Sequence, residues 1–332
     1  LLLAIPVLLF SMSLTFIILR MGPLDPVSAI VGQNNDPAFR QAVERSIGLV
    51  DAQGNPIPLW EQYITFMVDL ATFDLGQSWV ITRGTSVTDL IASRAPRTIW
   101  LGFWSVLVAL LVGIPLGFYA GLNPNTLSDY SASFGGIVWR AMPNFWLGII
   151  IASVLVSSNQ LTGGLFRWNA WIFETPVITP PPLDDMTNLE NLGTAVKQIL
   201  PPALVLGSAS MGNEMRVGRT AVLETVNSNY VETARAKGLP ERSIVWKHIF
   251  RNALIPLVPV ITAEAFLLIG GSVVVEQVFG INGIGSLFFT AALQGDLPLA
   301  GALIYVFVLI TLSVNILQDF LYTIIDPRIG YD

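Results

Sequence analysis

Apolar residues fall in long, nearly uncharged blocks separated by shorter polar stretches. Leu1–Leu19 contains no charged residue, and Thr98–Leu122 runs 25 residues without one. A third block, Phe134–Val156, has Arg140 and Pro143 near its start. A fourth, Ile199–Asn213, opens with Pro201-Pro202; a fifth, Ala253–Val275, carries Glu264; a sixth, Leu297–Gln318, is again uncharged. Hydrocarbon offers no partner for a free backbone amide, so such blocks are expected to be helices. Crossing a ~30 Å core takes roughly 20 residues. The pattern therefore predicts an all-α integral membrane protein with about six spans.

The polar intervals give the organisation. Residues 1–20 form the first span and 21–97 a long extracytoplasmic segment. Residues 98–325 form the membrane domain, with a loop at 217–255, and 326–332 form a tail. In the long segment, Trp60–Phe73 places Ile64, Met67, Val68 and Ala71 at helical spacing, which predicts a helix in a small ordered cap. Thr175–Pro182, "TPVITPPP", cannot be helix interior and is placed outside, before the fourth span. The chain opens at Leu1 inside an apolar run with no methionine or basic leader. We expect it to continue upstream, and that run lacks the flanks of a cleaved signal.

Lysine and arginine in short loops set orientation. The segment after the fourth block holds Arg216, Arg219, Arg235, Lys237, Arg242, Lys247 and Arg251, whereas the loop between the fifth and sixth blocks holds none. The 4–5 loop is thus expected to be cytoplasmic, and an even number of spans puts both termini there too. That loop contains the most informative stretch, "NSNYVETARAKGLPERSIVWKHIFRNALIP" at 227–256. Asn229 is placed to cap a short helix, with Glu232 three residues on to close a capping box. Gly238 suits the left-handed turn after a helix, and Pro240 suits the first turn of the next. A second helix to about Asn252 would pair Val245 with Ile249 and Trp246 with Phe250. The prediction is a firm helix–glycine–helix elbow.

"ETARAKG" followed by "IFRNALIP" resembles the Glu-Ala-Ala…Gly signature of ABC importer permeases, with Thr233 in place of the first alanine. The dipeptide/oligopeptide/nickel branch, first permease type, is further resembled by "GPLDPV", "FDLGQSW", "PRTIWLGFWSVLVALLVGIPLG", "MPNFWLGI", "VVVEQVFGINGIG" and "DPRIGYD". These run in order from about residue 22 to 332. The resemblance implies a type I importer fold in which the elbow is a coupling helix docked on an ATPase. It further implies a second permease subunit (normally a different sister chain), two ATPases carrying ATP and Mg, and an external substrate-binding protein. It implies coupling roles for Glu232, Thr233, Ala234, Arg235, Lys237, Gly238, Glu241 and Arg242. The plainer alternative is that Glu232 only caps its helix while the bases meet anionic head groups. Peptides are the expected cargo; nickel chelates and oligosaccharides are the other substrates of the branch.

Composition narrows the chemistry. Charged residues make up 12% of the chain, half the roughly 25% usual in soluble domains. There is no cysteine and one histidine, His248. No cysteine or histidine metal cluster or catalytic triad can be built from this chain alone, so a membrane-embedded hydrolase is excluded. No GxxxxGK[ST] loop occurs, so ATP hydrolysis is expected on separate subunits and no cofactor in this chain. A net charge of −6 gives no support to nucleic-acid binding. Fourteen arginines against three lysines, with excess acid, fit a halophilic source.

An acid inside a span is costly and commonly faces a bundle interior or water. Glu264 is therefore a translocation-path candidate, or else the partner of Arg140 or a backbone group. Glu276, beside "GINGIG", and Asn315 in the last block are the other path candidates. Arg140 is expected to snorkel to the interface, His248 to be solvated, and Trp100, Trp104, Trp139 and Trp146 to anchor span ends. A secondary transporter or channel would show several intramembrane acids and an internal repeat; only Glu264 fits that reading.

Overall fold

A computed structural model of the chain describes residues 4–22, 25–32, 36–165, 167–168, 188–262, 264 and 273–325. The proline-rich 175–182 stretch, the middle of the fifth block and the 326–332 tail lie outside these. Among the described residues the regular structure is helical, with only two isolated β-bridges. Among the described residues four helices are long and apolar enough to cross a membrane: Ala4–Met21, Val87–Leu122, Glu241–Thr262 and Leu297–Phe320. The number rises to six if two bent pairs each count as one span. Six is the upper figure, and the candidates are not the six expected blocks: the fourth is missing, the pair Val273–Phe279 with Ile284–Gln294 was not expected as a span, the third is bent, and the fifth starts at Glu241.

The third block is broken. Leu127–Ala141 and Asn144–Val156 meet at 99°, because Met142 precedes Pro143 and is held extended at φ −78°, ψ 126°. The fourth block is only the middle of a 38-residue helix, Leu189–Val226. It is not among the apolar candidates. Pro201 and Pro202 lie inside it rather than at its start.

The chain divides into two compact units. The first comprises Leu1–Ala95 with Ile284–Leu312, so the first span and the 21–97 segment cluster with a stretch that the sequence pattern places in the 98–325 membrane domain. Its first four helices are α1 (Ala4–Met21), α2 (Pro26–Val31), α3 (Pro37–Ser46) and α4 (Leu59–Ala71). Asp25 and Asp36 each accept the amide two residues on, at 3.0 Å, and each is followed by proline at the first helical position. Both helix starts are therefore written locally. Helix α4 packs on α1 through Phe16, whose ring lies 5.3 Å from Tyr63 and 5.5 Å from Phe66. The buried positions of α4 are Gln62 and Leu70, while Ile64 and Val68 of the expected stripe are exposed.

A loop at 78–81 is fastened to Asp296, just before the last helix. The buried carboxylate accepts the Ser78 hydroxyl at 2.5 Å and the amides of Trp79, Val80 and Ile81 at 3.0–3.1 Å.

The second unit comprises Pro96–Gly283 with Ser313–Asp332. From Pro96 onwards α5 (Val87–Val108) belongs to this unit, and it passes through a π turn, Ala109–Gly113, into α6 (Ile114–Leu122). α7 (Leu127–Ala141), α8 (Asn144–Val156) and α9 (Ser158–Leu161) follow, and then α10 (Leu189–Val226). α10 lies against the π turn and α6 along a row of glycines. A β-carbon at Gly117 would sit 2.5 Å from the Met215 carbonyl, and one at Gly121 would sit 2.6 Å from Val222 Cβ. Small residues four apart let two backbones approach this closely. Trp100 is buried in the core of this unit, and Trp104 meets it edge to face at 5.5 Å. These two are core residues rather than interfacial anchors. Trp139 and Trp146 are exposed.

Candidate functional site

The elbow forms as a distinct structure at the end of α10. Its first arm is α11 (Asn229–Ala236), and its second opens α12 (Glu241–Thr262). Ser228, not Asn229, is the N-cap residue, and no side-chain cap closes the helix. The reason is local: the Ser228 hydroxyl donates back to the Thr225 carbonyl at 2.6 Å. At the other end Gly238 sits at φ +72°. Its amide reaches the Arg235 carbonyl at 2.9 Å, and the Leu239 amide reaches Ala234 at 3.3 Å. This left-handed closure is the one glycine makes without a Cβ penalty. Pro240 is the cap residue of the second arm rather than part of its first turn. That arm is wound as a π-helix from Ile244 to Phe250, a feature the apolar spacing did not disclose.

The underside of the elbow is apolar and seated. Val231, Ala234, Ile244 and Ile249 are buried together with Phe118, Val222 and Leu257. The Phe250 ring lies 4.7 Å from Phe118 and 5.1 Å from Trp246. The upper side is exposed and polar: Glu232, Thr233, Arg235, Lys237, Gly238, Glu241 and Arg242. Of the eight residues expected to couple, only Ala234 is buried. Tyr230, Leu239 and Trp246 add exposed apolar surface to the same segment. Arg235 reaches Glu241 at 3.2 Å across the Gly238 bend, with both side chains largely in solvent. Such a pair is worth about 0–1 kcal/mol, so it aligns the two arms without locking them. His248 is partly exposed, and its carbonyl accepts from Asn252.

A second polar feature lies beside the elbow's support. Arg219 of α10 grips Asp129 with two bonds, 2.6 and 2.8 Å, and Asp129 is almost wholly buried. The Asn125 amide and Ser133 hydroxyl also donate to it, at 3.0 and 3.3 Å. Asp129 precedes the apolar stretch of its block and lies in the first turn of α7. Arg219 had been counted only as a loop charge; its partner 90 residues away was not legible from local pattern.

The three translocation-path candidates have different surroundings. Glu264 is buried with the Ser210 hydroxyl and, close by, Glu214. Arg140 is exposed and does not pair with it among the described residues. Glu214 escaped the sequence reading because it falls one residue past the assigned end of the fourth block. It is fully buried, and neither carboxyl oxygen has a hydrogen-bond partner among the described residues. Glu276 is also fully buried and takes the Thr98 hydroxyl at 2.8 Å. Its place is in a packed corner beside Gly283 rather than on an open wall. Asn315 is exposed.

A family model described as a binding-protein-dependent transport system inner membrane component matches residues 113–331. The chain is 33% identical over 334 residues to the oligopeptide transport system permease protein AppB of Bacillus subtilis, covering 99% of this chain and 97% of that relative. It is 32% identical to the oligopeptide transport system permease protein OppB of Haemophilus influenzae, over 99% of this chain and 96% of the relative. It is 30% identical to the dipeptide transport system permease protein DppB of Alkalihalophilus pseudofirmus, over 100% and 98%.

Proposed function

The chain belongs to the family of binding-protein-dependent transport system inner membrane components, and from that premise we propose that it carries oligopeptides or dipeptides through half of a translocation path, driven by partner ATPases. It is a multi-pass permease subunit of an ATP-binding-cassette importer, with the all-helical type I fold. In the proposed assembly it pairs with a sister permease and receives substrate from an external binding protein. The elbow and both termini face the cytoplasm, where two ATPases bind and hydrolyse ATP.

The observation that carries the coupling role is the two-sided elbow. Its apolar underside is buried on α6 and α10, and its polar upper side faces outward at Glu232–Arg242. A partner pressing on the upper side moves the seated helices with it, because the underside is packed like a core. The absence of cysteine makes the test clean. A single cysteine at Arg242 should crosslink to an ATPase subunit in the assembled transporter, and one at exposed Leu127 should not. Gly238→Asp should leave insertion intact and separate ATP hydrolysis from uptake. Uptake at the wild-type rate in that variant, with no crosslink at Arg242, would refute the coupling role.

A further inference from the structure

Apart from the elbow, the feature with the most unspent chemistry is a cavity of about 320 Å³ inside the first compact unit. It lies where the last turn of α1, the helix α4, the 74–79 loop and the start of the last helix come together. Cavities of this size are typical of small-molecule sites. Its walls are apolar at Phe16, Phe66, Leu70 and Trp79, and polar at a few defined points.

Two of those points are incomplete. Arg20 Nη1 is buried with no hydrogen-bond partner among the described residues. Gln62 Oε1 is likewise buried and unpaired, and its orientation is fixed because Gln62 Nε2 donates to the Ile57 carbonyl at 2.8 Å. A buried donor or acceptor left unmade costs about 1–3 kcal/mol, and here one of each borders the same space. The opposite charge is supplied by Asp69 and Asp74, which with Glu61 are the carboxylates lining the cavity. Burial, and then Asp74 beside it, push the Asp69 carboxyl up. No basic side chain pairs with Asp69 among the described residues. Arg20 calls for an anionic oxygen, the aspartates for a cationic N–H donor, and Gln62 Oε1 for an N–H or O–H donor. Neither an apolar chain end nor a simple anion meets these demands.

We propose that this cavity binds a small zwitterion, its primary ammonium held by Asp69 with Asp74, its anionic oxygen group held by Arg20, and a further N–H or O–H of the bound molecule accepted by Gln62 Oε1. That chemistry has two natural sources: a free amino acid or very short peptide, and the phosphoethanolamine headgroup of a lipid. The site is separate from the elbow and does not depend on the transport reading.

The test uses the assembled transporter in phosphatidylcholine nanodiscs, with thermal unfolding and calorimetric titration as readouts. Glycylglycine and O-phosphoethanolamine are titrated in parallel, with N-acetylglycylglycine and ethyl phosphate as controls lacking the ammonium. Saturable binding of a zwitterion, lost in its control and at least tenfold weaker in Arg20→Gln and in Asp69→Asn, supports the site. Which compound binds identifies the source. For the lipid source, nanodiscs containing phosphatidylethanolamine should also abolish the phosphoethanolamine response. Should Arg20→Gln fail to assemble, Gln62→Leu takes its place. Binding of neither zwitterion, or binding unchanged in these variants, overturns the proposal. The second result would assign any peptide binding to another part of the assembly and leave the permease reading standing.

Discussion

The Asp129–Arg219 pair shows how much one side chain can fasten. A buried carboxylate receives a two-pronged guanidinium, a backbone amide and a hydroxyl, and so ties the start of α7 to α10. Asp129→Asn keeps the shape of the side chain and removes its charge, so it should lower the unfolding midpoint at pH 7, and Arg219→Gln should lower it by a similar amount, as read by thermal unfolding. A double variant losing as much as the two single variants added together would remove the ion pair from the account. Neither this contact nor the seat of Asp296 in the 78–81 loop is visible in the sequence. Each joins positions 90 or more residues apart, and local spacing says nothing about what will lie opposite. Gly238, by contrast, was legible, because a left-handed turn after a helix is a local demand that glycine meets best.

At the scale of elements, the apolar blocks gave helices wherever length alone decided the outcome, as at Ala4–Met21 and Leu297–Phe320. They misled where backbone chemistry intervened. Pro143 broke the third block by forcing Met142 out of the helix, while Pro201 and Pro202 did not stop α10. The glycine row facing α10 adds a sharper test. Gly117→Ala puts a methyl against the Met215 carbonyl, and overpacking of this kind costs about 1–3 kcal/mol. Gly135→Ala, inside α7 with nothing within 4 Å of the added carbon, should stabilise by about 0.5–1 kcal/mol through helix propensity. Thermal unfolding of the two variants should therefore move in opposite directions. A shared direction would mean that the α6–α10 approach is not close in the membrane.

For the whole molecule, the proposed function makes the chain a passive conduit that needs a motor. Reconstituted alone in liposomes, it should move no peptide with or without ATP. With its sister permease, ATPases and binding protein added, uptake should require ATP. Peptide flux through the isolated chain would favour a channel or a self-sufficient transporter. The 38 residues of α10 sharpen what the motor must do. At 1.5 Å per residue the helix is about 57 Å long, nearly twice the thickness of a bilayer's hydrocarbon. One end adjoins the elbow at Val226. If it turns as one body, a helix of that length converts rotation into travel: a tilt of about 3° carries its far tip sideways by about 3 Å, the width of a water molecule.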